Sequence, residues 1–424
     1  ESSMEILIYG IAASFLLFYG LISKKIEATH LTGPIIFVTF GYLLSSDVSG
    51  VISNKDHSIL NIIANFTLIL ILFSDASRIN LSLFKNEHDL PRRLLGIGLP
   101  ITIIFGTITG VIIFYDLPFW QVAIIATILA PTDAALAQAV INCKRVPGRI
   151  RQALNVESGL NDGICFPILL MFTSLAGAAS ENESINWVEL IGFQLLLGPL
   201  VGFVIGNFGG KLLVWAVNKG WMSADFQRLA IISLSFMAFC FATLVGGNGF
   251  ISAFTAGLFF GNTARTVSEP IYEFGEAESG LLILLTFMLF GAMLVPKAIH
   301  IDRIQWDIVV YALLSLTLVR MIPVAISLIG KGLSRATILY IGWFGPRGAA
   351  SILYLLLVVD KFHLSGEHVI FEVTTVTVLF SVFLHGLTAK WGANTYADAL
   401  AASPAKEPIA ESRKTDELPT RVAS

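Results

Sequence analysis

Charge is scarce in this chain. Of 424 residues, 13% are charged and 55% hydrophobic, whereas a soluble domain carries about 25% charge. A soluble multidomain protein of this composition would expose far too much apolar surface, which excludes that class. Basic charge is not in excess: 27 Lys and Arg stand against 30 Asp and Glu, for a net charge of −3, so nothing electrostatic supports nucleic-acid binding. Cysteine is nearly missing. Cys143, Cys165 and Cys240 have no paired spacing, so they suggest neither a disulfide framework nor a metal site, and small apolar packing residues is the simpler reading. No basic n-region precedes the first apolar run, so no cleavable signal peptide is expected.

What the chain has is apolar runs of roughly 20 residues recurring along nearly its whole length. They predict an all-α polytopic membrane protein of thirteen spans, at about 4–23, 31–45, 58–76, 94–115, 119–141, 153–179, 187–210, 227–245, 250–262, 279–295, 305–329, 336–358 and 367–389. Residues 1–395 then form one transmembrane domain. Residues 396–424 form a tail, and the Ala-, Ser-, Pro- and charge-rich composition from Trp391 onward predicts disorder.

Basic residues orient the spans. Loops after odd-numbered spans hold sixteen Lys and Arg, including Lys24, Lys25, Arg92, Arg93, Lys144 and Arg145. Even-numbered loops hold four, Lys55, Lys297, Arg303 and Lys361. The odd loops and the C-terminus are therefore expected in the cytoplasm and the N-terminus outside.

The segment Val156-Glu157-Ser158-Gly159-Leu160-Asn161-Asp162-Gly163 places two acids and an amide at the start of the sixth span. Charge at such depth is costly and points to function. Asp133 lies ten residues before Cys143 and Asp162 ten after Gln152, so at 1.5 Å per helical residue both reach about 15 Å into a ~30 Å core. Arg320 and Arg347 reach about 16–18 Å by the same arithmetic. The fifth span is interrupted by Ala130-Pro131-Thr132-Asp133 and the twelfth by Gly342-Trp343-Phe344-Gly345-Pro346-Arg347-Gly348. Paired broken helices in two halves of a chain point to an inverted-repeat secondary transporter.

On the sixth span Ser158 and Asp162 share one helix face, and Glu157 and Asn161 share another turned by about 100°. The first face offers a hydroxyl and a carboxylate to a hard monovalent cation, with Thr132 and Asp133 completing the shell. Burial disfavours the charged carboxylate, so Asp162 would hold either a cation or a proton. Combined with alternating access, that competition gives obligatory exchange. Glu157 needs a cationic partner, Arg320 or Arg347. The alternative is a purely structural ion-pair network, which would need no broken helices around it.

The motifs Thr132-Asp133, Glu157-Ser158-Gly159-Leu160-Asn161-Asp162-Gly163 and Phe344-Gly345-Pro346-Arg347-Gly348 resemble those of the first cation–proton antiporter family, the NhaP/NHE type. Thr32-Gly33-Pro34, Gly41-Tyr42-Leu43-Leu44 and Gly249-Phe250-Ile251 add to the likeness, which covers about residues 5–395. The resemblance implies an antiporter fold of thirteen helices with two discontinuous crossing helices. It also implies a homodimer in a cell membrane, with a core domain moving against a dimerisation domain. It implies electroneutral exchange of one cation, Na⁺ (or Li⁺ or K⁺), for one H⁺, with no cofactor. By motif, Asp162 matches the transported-charge carboxylate. Thr132, Asp133 and Ser158 match the cation shell, and Glu157, Asn161, Arg320 and Arg347 its support and gate. Related electrogenic antiporters have Asp where this chain has Asn161. The resemblance extends to no long cytoplasmic tail of the family's kind, so tail-based regulation is not expected.

Some readings stay open. Asp75, beside Arg78, reads first as an interfacial residue snorkelling to the cytoplasm and second as an entrance residue. Glu269, Glu273, Glu276 and Glu278 read first as a solvated face and second as an ion funnel or pH sensor. His385 reads as a packed, hydrogen-bonded histidine. An intramembrane aspartyl protease would also bring two Asp residues together, but Asp162 lacks a Gly-x-Gly-Asp context and the arginines have no place in that chemistry. For a channel, no filter-like loop is visible.

Overall fold

The computed structural model describes residues 2–27, 29–52, 57–79, 89–181, 188–267, 269–299, 305–362, 364–402 and 411. Their regular structure is helical, without a strand. The helices are α1 (Ser2–Glu27), α2 (Gly33–Leu44), α3 (His57–Ser77), α4 (Asp89–Ile113), α5 (Phe119–Ile128), α6 (Gln138–Ile141), α7 (Gly148–Glu181), α8 (Gly198–Asn218), α9 (Ala224–Leu244), α10 (Gly249–Thr263), α11 (Glu269–Leu289), α12 (Trp306–Leu316), α13 (Leu318–Ser327), α14 (Arg335–Trp343), α15 (Ala349–Phe362) and α16 (Glu367–Ala401). π-Helical turns run through α4, precede α8 and follow α11.

Each expected span contains one of these helices or a broken pair. Among the described residues, seven helical stretches are long and apolar enough to cross a membrane on their own: Asp89–Ile113, Gly148–Ala179, Phe193–Asn218, Ala224–Leu244, Phe274–Ala298, Trp306–Ser327 and Glu367–Ala401. Local chemistry sets several starts. Asn248 accepts from the amides of Phe250 (3.0 Å) and Ile251 (3.1 Å) to open α10, Ser334 accepts from Thr337 N to open α14, and Pro34 sits in the first turn of α2. Thr317, with backbone outside the helical region, separates α12 from α13, an interruption the composition does not announce.

Glycines bring the backbones together. Gly198, Gly202, Gly206 and Gly210 line one face of α8. A Cβ on Gly202 would run into the Ser252 carbonyl of α10, and one on Gly206 into that of Ala256. On α10, Gly257 and Gly261 meet the carbonyls of Phe73 and Ser77 of α3 in the same way. Small residues spaced by four permit such contact, which dispersion and weak polar contacts then stabilise.

Outward faces are apolar, as at Ile104, Ile108 and Ile112 of α4 and Phe203, Phe208 and Leu212 of α8, which suits a hydrocarbon surround. Cys165 is buried as expected of a packing residue, whereas Cys143 is half-buried and Cys240 exposed. The tail boundary needs correction: α16 continues to Ala401, with Ala393, Tyr396 and Ala397 buried and Tyr396 stacked on Tyr340 at 4.1 Å. Apolar packing on α14 explains helix where composition suggested a tail. Apart from Ala402 and Glu411, the later residues lie outside the described ones.

Candidate functional site

The two expected breaks exist and meet. Residues 129–137 separate α5 from α6, and 344–348 separate α14 from α15. Asp133 N donates to Pro346 O at 2.8 Å, joining the breaks by main chain. Each break leaves helix ends unsatisfied inside the protein, and the charged residues serve them. Asp133 Oδ1 accepts from Ala135 N (2.7 Å) and Leu136 N (3.4 Å), while its Oδ2 accepts from Ala349 N (2.6 Å), the first amide of α15. A Cβ on Gly348 would collide with that carboxylate, so glycine is required for the approach. Arg347 does the converse: its Nη1 donates to the carbonyls of Gly345 (2.8 Å) and Pro131 (3.5 Å), past the C-terminal ends of α14 and α5. Ser351 Oγ donates to Ile128 O at 2.7 Å, another of those carbonyls. An anion thus sits where amides point and a cation where carbonyls point, the arrangement that helix-end partial charges favour.

Helix α7 runs past this crossing and supplies the other side of the site. Glu157 and Arg320 form a bidentate pair at 2.6 and 2.8 Å, with both side chains 1% exposed. Of the two expected partners for Glu157, the structure selects Arg320, and Arg347 serves carbonyls instead. Asn161, on the same helix face as Glu157, reaches the first break instead. Its Nδ2 donates to Thr132 Oγ1 at 2.7 Å, and Thr132 Oγ1 is also 2.9 Å from Ser158 Oγ. The chain of amide and hydroxyls fixes the oxygens of Thr132 and Ser158 relative to each other.

Thr132, Asp133, Ser158 and Asp162 line one cavity of about 10 Å³, closed by Ile71, Ala134, Ile283, Ala349 and Ala350. All four expected shell residues are therefore together, and each is at most 7% exposed. The volume is that of a single water-sized particle. Two larger cavities are also present, the first of them sharing Ile283 with it. One, of about 200 Å³, is lined by Asp75, Arg78, Gln138, Glu276, Ser279 and Ile283 among others. The other, of about 350 Å³, is lined by His30, Thr32, Asn142, Cys143, Lys390 and Asn394 among others. Both touch Tyr19, Gly33, Pro34, Ala135 and Gln138.

Two first readings change here. Asp75 is not an interfacial side chain reaching for water; it is 5% exposed and lines the 200 Å³ cavity. Glu276 is not on a solvated face. It lies 3.8 Å from Arg78 and lines the same cavity. The side chains of Glu269 and Glu273 lie outside the described residues. His385 is buried, with Nδ1 3.1 Å from both Ser381 Oγ and Ser381 O, as a packed histidine would be.

Several participants carried no signal that singled them out. Tyr354 donates to the backbone carbonyl of Asp162 at 2.6 Å, and Ser381 Oγ accepts from Arg347 N at 2.6 Å. Tyr354 lies seven residues after Arg347, two helical turns on, a spacing that could have placed it on the site face. Pro167, inside α7, cannot donate to the Gly163 carbonyl next to Asp162.

The chain matches the transmembrane sodium/hydrogen exchanger family over residues 11–394. It belongs to that family and is a multi-pass membrane protein. It is 26% identical over 398 residues to the K(+)/H(+) antiporter NhaP of Alkalimonas amylolytica, covering 92% of this chain and 67% of that protein. It is 26% identical over 355 residues to the K(+)/H(+) antiporter NhaP2 of Shewanella sp. (strain MR-4), covering 83% of this chain and 60% of that one. The chain thus spans about 60% to two thirds of the length of these curated relatives. Its fold is similar to that of the sodium proton antiporter MjNhaP1 from Methanocaldococcus jannaschii, with a TM-score of 0.76 at 20% identity, covering 94% of this chain and all of that one.

Proposed function

We propose that the chain is a secondary active antiporter exchanging one monovalent cation, Na⁺ or Li⁺, for one H⁺ by alternating access. The observation that carries this reading is the one cavity that Thr132, Asp133, Ser158 and Asp162 line together. In the reading, Asp162 is the shared carrier. Its carboxylate holds a dehydrated cation together with the Ser158 and Thr132 hydroxyls, and releases it when a proton takes its place. A buried carboxylate cannot hold both well, so the site carries the same net charge with either passenger, one negative charge less than when empty, and the loaded site is the cheaper one to move through a low-dielectric barrier.

Asp133 contributes negative charge near the cation while its oxygens hold three amides. Glu157 and Arg320 neutralise each other beside the site, and Asn161 orients Thr132. Because Asn161 adds no titratable charge, exchange is one for one and electroneutral. The protein works as a homodimer in a cell membrane, with the N-terminus outside and the C-terminus and the Asp75–Glu276 cavity on the cytoplasmic side. The basic-residue bias supports that orientation. K⁺ in place of Na⁺ is a second reading, favoured by the names of the NhaP relatives.

Reconstitution in proteoliposomes with an imposed proton gradient tests the proposal. Adding Na⁺ or Li⁺ should dissipate the gradient at a rate unaffected by membrane potential. No response to Na⁺, Li⁺ or K⁺ would sink the antiport reading, and voltage dependence would sink the stoichiometry.

A further inference from the structure

The 10 Å³ cavity and the 200 Å³ cavity have one lining residue in common, Ile283 of α11. It is 3% exposed. Glu276, Ser279 and Ile283 are spaced by three and four, so they form one stripe on α11. Glu276 and Ser279 line the larger cavity, and Ile283 lines both. On α3, Ile71 and Asp75 are four apart, and the same division recurs: Asp75 lines the larger cavity and Ile71 the smaller. Two helices thus each present an acid to the wide chamber and an isoleucine to the narrow one.

We propose that Ile283 is a specificity-determining residue: it walls the ion cavity off from the acidic chamber and limits that cavity to a small, fully dehydrated cation. The inference rests on the antiport reading. Isoleucine is branched at Cβ and stiff about χ1, so it does not swing aside as Leu or Met would. A cation crossing from the acidic chamber passes this side chain and leaves its water behind, since the space beyond holds one water-sized particle. The hydroxyl and carboxylate oxygens beyond it then replace the lost shell. Selection among hard cations follows cavity size, ligand number and flexibility. With Thr132 and Ser158 held by hydrogen bonds to each other and Asp133 held by backbone amides, the adjustable quantity is the size set by the apolar wall.

The test measures cation-driven proton exchange in proteoliposomes for the wild type, Ile283→Val, Ile283→Ala and Leu284→Ala, with Na⁺, Li⁺ and K⁺ each titrated. Leu284 lines the larger cavity only. The expected result is a stepwise fall in the preference for Na⁺ over K⁺, smaller in Ile283→Val and about tenfold in Ile283→Ala, carried by the apparent KM for K⁺. In Leu284→Ala the preference stays at the wild-type value. Exchange by the wild type with an unchanged preference in both Ile283 variants overturns this inference alone, as does an equal shift in Leu284→Ala. No exchange by the wild type overturns the antiport reading and this inference with it. Ile283→Val removes a single methyl group and keeps the comparison available should Ile283→Ala fail to accumulate. Loss of all exchange in Ile283→Val also counts against the inference, because thinning the wall should ease passage.

Discussion

Asp133 and Asp162 are both buried acids of one cavity, but their surroundings differ. Asp133 accepts three backbone amides across two helix ends, which ties its charge to the fold. Asp162 is anchored through its backbone, where Tyr354 donates to the carbonyl at 2.6 Å, and it lines the cavity. Asp162→Asn should therefore abolish exchange while the purified protein still melts cooperatively near the wild-type temperature; retained exchange would move the carrier elsewhere. Glu157→Gln should behave in the opposite sense. It strands the Arg320 charge in a fully buried position, at a cost of about 3–5 kcal/mol, read as earlier thermal unfolding in detergent. The double change Glu157→Leu with Arg320→Met removes both charges and should melt later than the single variant. At this scale the sequence was informative where a residue was chemically out of place. Three acids and two arginines in apolar runs, with Ser158 four residues before Asp162, led directly to the candidate site. Ile71 and Ile283 were invisible, since nothing in an apolar run says which isoleucine borders a cavity. Asp75 was misjudged because its position near a span end fits both a snorkelling residue and a buried one, and only the packing of α11 against α3 decides between them.

The broken helices α5–α6 and α14–α15 are the elements on which the site depends. Pro131 and the Gly345-Pro346 pair interrupt helical hydrogen bonding, and this made both breaks legible from composition. What composition cannot convey is that the breaks bond to each other, or that each charged residue serves the ends of both helices. Those contacts join residues over 200 positions apart. Gly348→Ala is the sharpest test of the arrangement. The added methyl would displace the Asp133 carboxylate from Ala349 N. Losing that cap costs about 0.5–2 kcal/mol of stability, and the misplacement should lower turnover about a hundredfold. Turnover close to wild type would show that the crossing tolerates slack. The α8–α10–α3 contacts make the same point about legibility. The four-residue glycine spacing on α8 stands in the sequence, but the carbonyls it meets are set by the packing alone.

For the whole molecule, one described residue beyond α16 packs back on the bundle. Glu411 Oε1 accepts from Ser334 N and from the Thr337 hydroxyl, both at 2.8 Å, at the start of α14. Burial works against its charge, but these hydrogen bonds outweigh it and hold the carboxyl below its ordinary value of 4.5. A group lowered in the folded state stabilises it above the ordinary value, and the contribution is lost as pH falls through the lowered one. The contact should therefore persist through neutral and mildly acid pH and loosen only in stronger acid. Hydrogen exchange at the amides of 334–337, corrected for intrinsic rates, should show that profile, and Glu411→Gln should raise exchange already at neutral pH. Loss of protection near neutrality in the unaltered chain would contradict it.

The hydrogen bond from Ala349 N to Asp133 also bears on how the protein is made. These residues are 216 positions apart. At about 5–20 residues per second of synthesis, the acid is in place for roughly 10–40 s before its partner is translated. Throughout that interval the fifth span holds an interrupted helix whose carboxylate has no α15 to cap. The nascent chain must keep that half-finished crossing away from lipid, in the insertion machinery or against α7, until the second half of the protein arrives.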